Sequence, residues 1–283
     1  MPKRCCWRHG SLAETLGEAA RDVLLTADPV AKAAAARALN ARWCAGLIAL
    51  ADGPEPLPHR PARPARPALL PASQMPKRGR AGSLRSRFAM LHAVAHIELN
   101  AIDLAVDVAG RFGPAMPPQF ATDWLHVADE EAQHFGLLSG LLEQAGGGYG
   151  DLPAHDGLWQ SAQATAHTLA ARLAVVPQVL EARGLDVTPM MIARFEAAGD
   201  ATAVGVLQRI LQDEIGHVAI GNRWFRFLCH ESGTNPVEAF HGLVRAHFRG
   251  AVKPPFNDSA RLQAGLTPDW YMLLGNGSNP CET

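Results

Sequence analysis

A short pattern of residues that can bind metal, Glu-x-x-His, occurs twice in the chain: as Glu131 with His134, and as Glu214 with His217. Residues three apart project from one face of a helix, and each pair interrupts an apolar stripe at helical spacing. A buried carboxylate beside an imidazole is costly unless both are paired or bind a metal ion. A single pair is common on exposed helices, but two copies on apolar stripes favour a metal site.

Two further acids fall on apolar helical faces, Glu98 beside Ala95 and Ile102, and Glu181 beside Ala174 and Pro177. One glutamate from each of two helices and one Glu-x-x-His from each of two others form the ligand set of a dinuclear site in a four-helix bundle. Four carboxylates would neutralise two divalent cations, and mixed oxygen and imidazole ligands favour iron, with manganese possible. The predicted metal ligands are Glu98, Glu131, His134, Glu181, Glu214 and His217, and no other catalytic residue is assigned.

An acidic residue precedes each motif glutamate, Glu130 in the first copy and Asp213 in the second. A metal-bound histidine usually donates its other ring N–H to an acceptor, often a carboxylate. We therefore predict a crossed arrangement in which Asp213 supports His134 and Glu130 supports His217.

Acids elsewhere on the helix of Glu98 receive a different interpretation. Asp103 and Asp107 lie about 140° and about 180° around the helix from Glu98, at about 100° per residue. Both are expected to face water, so replacing Asp103 by alanine should matter little. His92 and His96 flank Glu98 but are expected to point elsewhere and to be ordinary surface or core residues.

Helical periodicity then defines the elements that must position these residues. It predicts long helices at about 84–112, 117–145, 157–183 and 201–231, and shorter ones at about 189–198 and 236–249. Pro177 should distort the third long helix and deprive the carbonyl of Leu173 of its usual partner. Thr188 and Pro189 have the pattern of a helix start. No strand pattern competes, so the chain should be an all-α helical bundle.

The flanking segments complete the predicted organisation. Residues 1–53 are predicted to form short helices, divided near Asp28-Pro29, that pack on the bundle. Residues 54–82 are predicted to form a Pro/Arg-rich, mainly solvated connector. The bundle itself should span 83–250, and 251–283 should form a C-terminal tail. The net charge is −1 without a long basic run, so there is no strong nucleic-acid signal. No membrane span is predicted, and five scattered cysteines favour a reducing cytoplasm. The protein is expected to be a monomer or a homodimer.

Four blocks in order, HIELNAIDLAVD, DEEAQHFGLL, VLEARGLDVTP and LQDEIGHVAIGNRWF, resemble an uncharacterised ferritin-like family described as a domain of unknown function. The terminal PPFNDSARLQAGLTPDWY is similar to the tail of that family, so the resemblance covers about residues 10–275. It implies a ferritin-like bundle with a di-iron site at the six predicted ligands. The ligand order is also distantly similar to that of the di-iron hydroxylase that modifies a hypermodified adenosine in tRNA.

The expected function is that of a non-haem di-iron oxidoreductase, a hydroxylase or oxidase. It would take O2 and a small-molecule or modified-nucleoside substrate, with an electron donor that the sequence does not identify. Two alternatives stay open: a ferroxidase or iron-handling protein, and a non-catalytic module whose metal is structural or whose partner binds the Arg/Pro segment.

Overall fold

The structure is a computed structural model that describes residues 14–76 and 83–275. The described residues form α-helices, short 3₁₀ turns and one π-helical segment at Val176–Glu181, and no strand occurs among them. The predicted all-α helical bundle is therefore confirmed. The helices are α1 (Leu16–Leu25), α2 (Pro29–Cys44), α3 (Leu84–Phe112), α4 (Pro118–Gln144), α5 (Gly157–Ala164), α6 (Leu169–Val175), α7 (Ala182–Ala197), α8 (Ala201–Ser232), α9 (Pro236–His247), α10 (Asp258–Gln263) and α11 (Pro268–Gly275).

Four helical columns surround the core. Helix α3 packs along α4, α7 packs along α8, and α8 also contacts α4, α6 and the π-helical segment. Helix α1 lies on α3 and α2 lies on α4. The segment Leu84–Ala115 is long and apolar enough to cross a membrane, but 83% of its most apolar window is buried, as in the core helix of a soluble protein.

Helices α3, α4 and α8 begin and end within about a residue of their predicted bounds, but the third column differs. The predicted helix at 157–183 is wrong, because the chain leaves the helix after Ala164 and restarts at Leu169, where the Thr168 side chain caps α6. The predicted start at Pro189 is also wrong, since Pro189 lies inside α7. A proline removes one helical hydrogen bond, and Asn257 Nδ2 donates instead to the freed carbonyl of Leu185, at 3.1 Å.

The predicted distortion at Pro177 is confirmed and takes the form of the π-helical segment. The carbonyl of Leu173, which loses its partner to the proline, accepts a hydrogen bond from Gln178 Nε2 at 3.1 Å. Gly221 of α8 lies opposite. A Cβ at position 221 would come within 2.5 Å of Pro177 Cβ, so only glycine fits there without a shift.

The prediction that Asp103 and Asp107 face water is wrong, because both side chains are fully buried. Lys32 Nζ from α2 lies 2.5 Å from Asp103, which also pairs with Arg63 of the connector. Asp107 accepts a hydrogen bond from Arg172 of α6 at 2.5 Å. The N-terminal helices, the connector and α6 thus cover the side of α3 that periodicity assigned to solvent, and they bring the compensating cations with them.

The connector is attached to the bundle more firmly than a solvated linker. Besides Arg63, its Arg60 pairs with Asp156, and the carbonyl of His59 accepts a hydrogen bond from Trp159 Nε1 at 3.0 Å. These contacts tie the segment to α3 and α5.

Candidate metal centre

Glu131 of α4 lies at the centre of the predicted site. Its Oε1 is 3.0 Å from His217 Nδ1, and its Oε2 is 3.4 Å from His134 Nδ1. One carboxylate thus faces both imidazoles, which is the arrangement that a bridging ligand requires. Around it, Glu98 Oε2 lies 3.4 Å from His134 Nδ1, and Glu214 Oε2 lies 3.8 Å from His217 Nδ1.

These side chains are buried together in the bundle core. Ligand atoms of Glu98, Glu131, His134 and Glu214 all lie within 4.8 Å of one another. The His134 and His217 rings are 5.9 Å apart between centroids, so the two imidazoles flank Glu131 without stacking on each other.

Unpaired polar atoms provide the test of whether this group fits a metal. Native proteins pair nearly all buried polar atoms, because an unpaired one costs free energy. In this cluster the short contacts lack hydrogen-bond geometry, and the inward-facing atoms have no partner. The buried atoms without a hydrogen bond are Glu98 Oε2, Glu131 Oε1 and Oε2, Glu181 Oε2, Glu214 Oε2, His134 Nδ1 and His217 Nδ1. Six of these seven atoms, all except Glu181 Oε2, converge at contact distances and match the needs of divalent cations, so the residues present fit a metal.

The outer ring nitrogens have the partners that the sequence predicted. His134 Nε2 lies 2.9 Å from Asp213 Oδ2, and His217 Nε2 lies 2.9 Å from Glu130 Oε2. A carboxylate accepts here, so each ring carries a proton on Nε2, and Nδ1 is the nitrogen that faces the cluster and can bind a metal once it has no proton. The crossed arrangement is therefore confirmed.

With the site described, comparison with known proteins places the chain in a family. The family model described as "Protein of unknown function (DUF455)" matches residues 25–272. The chain belongs to the DUF455 family. A relative from Haemophilus influenzae (strain ATCC 51907 / DSM 11121 / KW20 / Rd), described as an uncharacterized protein, is 43% identical over 235 residues, which cover 79% of this chain and 81% of the relative. No solved structure matches significantly.

The electrostatics of the DUF455 cluster show that its charges depend on one another. Burial, and next the charge of Glu131, raises the pKa of Glu98 well above its usual range, and the same two causes raise the pKa of Glu214. Burial alone would lower the pKa of His134, but the neighbouring carboxylates of Glu131 and Glu98 raise it to about 11. Without metal the cluster must therefore hold protons, which bound cations would displace.

Glu181 occupies a less central position than the other predicted ligands. It belongs to the π-helical segment and is partly exposed, although its Oε2 is buried. Burial, and next the charges of Glu214 and Glu131, raises the pKa of its carboxyl group. The charges of the cluster thus affect the pKa of Glu181, although its carboxylate lies outside the group of four residues whose ligand atoms are within 4.8 Å of one another. Its role as a metal ligand stays a prediction.

Sequence reasoning missed two groups on the surface side of the DUF455 site. His126 Nε2 lies 3.5 Å from Glu130, and Arg209 Nε lies 3.5 Å from Asp213. Each contact joins two residues four apart on one helix, so their i,i+4 spacing in the sequence could have predicted it. They link the outer acids to solvent.

The other buried histidines have ordinary roles, as expected. His92 Nε2 accepts a hydrogen bond from the Gly150 N–H, and His96 Nδ1 lies 2.8 Å from the Tyr149 hydroxyl. Burial lowers the pKa of His96 to about 4.

Proposed function

We propose that this DUF455 protein is a di-iron carboxylate oxidoreductase with a ferritin-like bundle, distantly similar to the di-iron tRNA hydroxylase. It would use O2 to oxidise a small organic molecule or a modified nucleoside. The observation that carries the proposal is the convergence of six unpaired, buried oxygen and nitrogen atoms from α3, α4 and α8. The same atoms favour iron or manganese, since no thiolate is among them.

Six residues would hold the two ions in this proposal. Glu131 lies at the centre, Glu98 and His134 lie on one side of it, and Glu214 and His217 lie on the other. Glu181 would complete the set. When bound, two ferrous ions supply the capacity to reduce O2. In a hydroxylation, one oxygen atom would enter the substrate and the other would leave as water, with two electrons from an external donor and two protons.

The protein itself would contribute orientation and exclusion of water. Asp213 and Glu130 fix the two imidazoles by hydrogen bonds of 2.9 Å, so that Nδ1 of each ring points inward. The fully buried Glu131, His134 and His217 keep bulk water from the ligand atoms. A cytoplasmic location completes the proposal, in keeping with the exposed free thiol of Cys44.

Anaerobic titration with Fe(II) tests the proposal. We expect two ions per chain, and optical bands of a di-iron centre after exposure to oxygen. Glu131→Ala should abolish tight binding. Asp129→Ala is the matched control, because Asp129 lies on the same helix but pairs with Arg37 at the surface. Failure to bind two ions per chain would overturn the proposal, and rapid oxidation of excess Fe(II) without an organic substrate would indicate a ferroxidase instead.

A further inference from the structure

A pocket of about 190 Å³ lies between the π-helical segment and the part of the chain that follows α9. Val179 and Leu180 form one wall, and residues 248–256 contribute to the opposite wall. Aromatic rings supply much of the remaining surface, from Phe240, Phe248, Phe256 and Tyr271. None of the six predicted metal ligands, all of them among the described residues, lines this pocket, so it is separate from the metal centre.

The buried polar groups of the wall already have partners. Arg261 donates to both oxygens of Asp186, at 2.8 and 2.7 Å. The Tyr271 hydroxyl donates to Asp258 at 2.6 Å. The interior therefore offers a ligand mainly apolar surface.

Positive charge exceeds negative charge around the pocket. Arg183 and Arg261 both approach Asp186, at 3.4 and 2.7 Å, so two guanidinium groups share one carboxylate. Lys253 lines the pocket as well, and its ammonium group has no ion-pair partner in the part of the chain that the structure describes. Three positive side chains and one negative one leave a net charge of +2 on the lining.

The uncompensated cations lie on the solvent side of the pocket. Lys253 is exposed and the Arg183 side chain is 37% exposed, whereas Arg261 is buried. Arg183 is also held in place, because its Nη1 donates to the carbonyls of Lys253 and Pro255 at 2.8 and 3.0 Å. A guanidinium group has several N–H donors, so these bonds leave others free to bind a planar carboxylate. A bound molecule would thus meet an apolar interior and a positively charged mouth.

The volume limits the size of that molecule. An apolar protein cavity of about 150 Å³ accommodates benzene, so about 190 Å³ suits one ring with a small substituent. We propose that this pocket binds a small amphipathic carboxylate, with one aromatic or branched aliphatic group in the interior and the carboxylate beside Arg183 and Lys253. The inference does not depend on the proposed function.

Binding of benzoate and benzamide to the metal-free full-length chain tests the proposal. The two molecules share one ring and nearly one shape, but only benzoate is charged at neutral pH. Ligand-observed NMR or calorimetry at low ionic strength should show that benzoate binds about fivefold more tightly, as expected for two partly exposed ion pairs. At about 0.5 M salt the preference should fall below about twofold. No binding of benzoate, equal binding of the two molecules at low salt, or a preference that salt leaves unchanged would overturn the proposal.

Inorganic phosphate tests whether the apolar interior takes part. It should bind at least about tenfold more weakly than benzoate, because it buries no apolar surface. Phosphate that binds as tightly as benzoate would show a site that recognises charge alone, and would refute an amphipathic ligand.

Charge variants test the mouth of the pocket. Lys253→Met removes the charge and keeps a long side chain, so it should lower the preference for benzoate at least about twofold and leave benzamide binding unchanged. Arg249→Met is the matched control, because Arg249 is an exposed cation outside the lining. An undiminished preference in Lys253→Met, or an equal loss in the control, would contradict the assignment of the carboxylate to this mouth.

Two further variants locate the binding. Val252→Trp should fill the pocket and weaken benzoate binding at least tenfold, whereas Leu262→Trp, at an exposed position outside it, should bind benzoate as the wild type does. Glu131→Ala should also bind benzoate normally, and a loss in that variant would place benzoate in the metal centre instead. Circular dichroism confirms the folding of each variant. Benzoate that binds folded Val252→Trp as it binds the wild type would refute the proposed site.

Discussion

Replacing Asp213 by alanine removes the acceptor that orients His134. The two residues meet at 2.9 Å between Nε2 and Oδ2. Loss of such an outer partner typically lowers metal affinity about 10-fold to 100-fold, or about 1.4–2.7 kcal/mol. The Asp213 side chain is 21% exposed, so water can enter and replace part of the contact. We therefore expect the lower half of this range, a loss of about tenfold to thirtyfold.

Competition against a coloured chelator under anaerobic conditions measures this loss. Arg209→Ala is the matched control, because Arg209 touches the same carboxylate from the solvent side at 3.5 Å and is 52% exposed. It should change affinity by less than about twofold, as is typical of exposed ion pairs. The reasoning is refuted if Asp213→Ala binds metal like the wild type, or if both variants lose equally.

Glu130→Ala should produce a similar loss at the other imidazole, His217. Because both imidazoles contact Glu131, the free-energy effects of the two substitutions should couple, and the double variant should depart from their sum by about 0.5–3 kcal/mol. A double variant whose loss equals the sum of the two single losses would show that the two hydrogen bonds act independently.

Three further predictions concern stability. Asp103→Ala leaves the buried cation of Lys32 unpaired and should lower the free energy of unfolding, measured in urea, by about 3–5 kcal/mol. The control Glu55→Ala removes an exposed ion pair and should cost less than about 1 kcal/mol. Equal losses in the two variants would contradict a buried network at Asp103. Burial lowers the pKa of His96 from 6.5 to about 4, so the unfolded chain binds this proton at a higher pH than the folded protein does. The contribution of His96 to the free energy of unfolding is therefore fully present above pH 6.5, and about 3 kcal/mol of it is lost as the pH falls to 4. The variant His96→Gln should not show this pH dependence. Gly221→Ala should push on Pro177 and lower thermal stability by about 1–3 kcal/mol in calorimetry, and an unchanged melting temperature would argue against the close contact.

The sequence was sufficient to predict the helices that hold the clustered glutamates and histidines and the crossed contacts of the two histidines with Asp213 and Glu130. Glu131, His134, Glu214 and His217 lie on apolar stripes of long helices, whose periodicity is a local property of the chain. Helices α4 and α8 are regular along these stretches, so spacing in sequence translated directly into position.

The errors have a common origin in contacts between distant parts of the chain. Asp103 was assigned to solvent because periodicity describes one helix, whereas its partners Lys32 and Arg63 come from segments far away in sequence. The local pattern predicts a helix start at Pro189 because the group that satisfies the freed carbonyl of Leu185, Asn257, lies 68 residues after the proline.

The π-helical segment also determines the directions in which the side chains before and after it point around the helix axis. Such a segment contains one residue more than the α-helix that it interrupts, and each residue turns a helix by about 100°. Glu181, the last residue of the π-helical segment, faces the carboxylate cluster. Asp186, in the α-helix that follows, faces Arg261 and Asn257 of the C-terminal part of the chain. A chain that lost this residue would keep one of these orientations and rotate the other away. A single added residue thus lets one helical column serve the cluster and anchor the end of the chain.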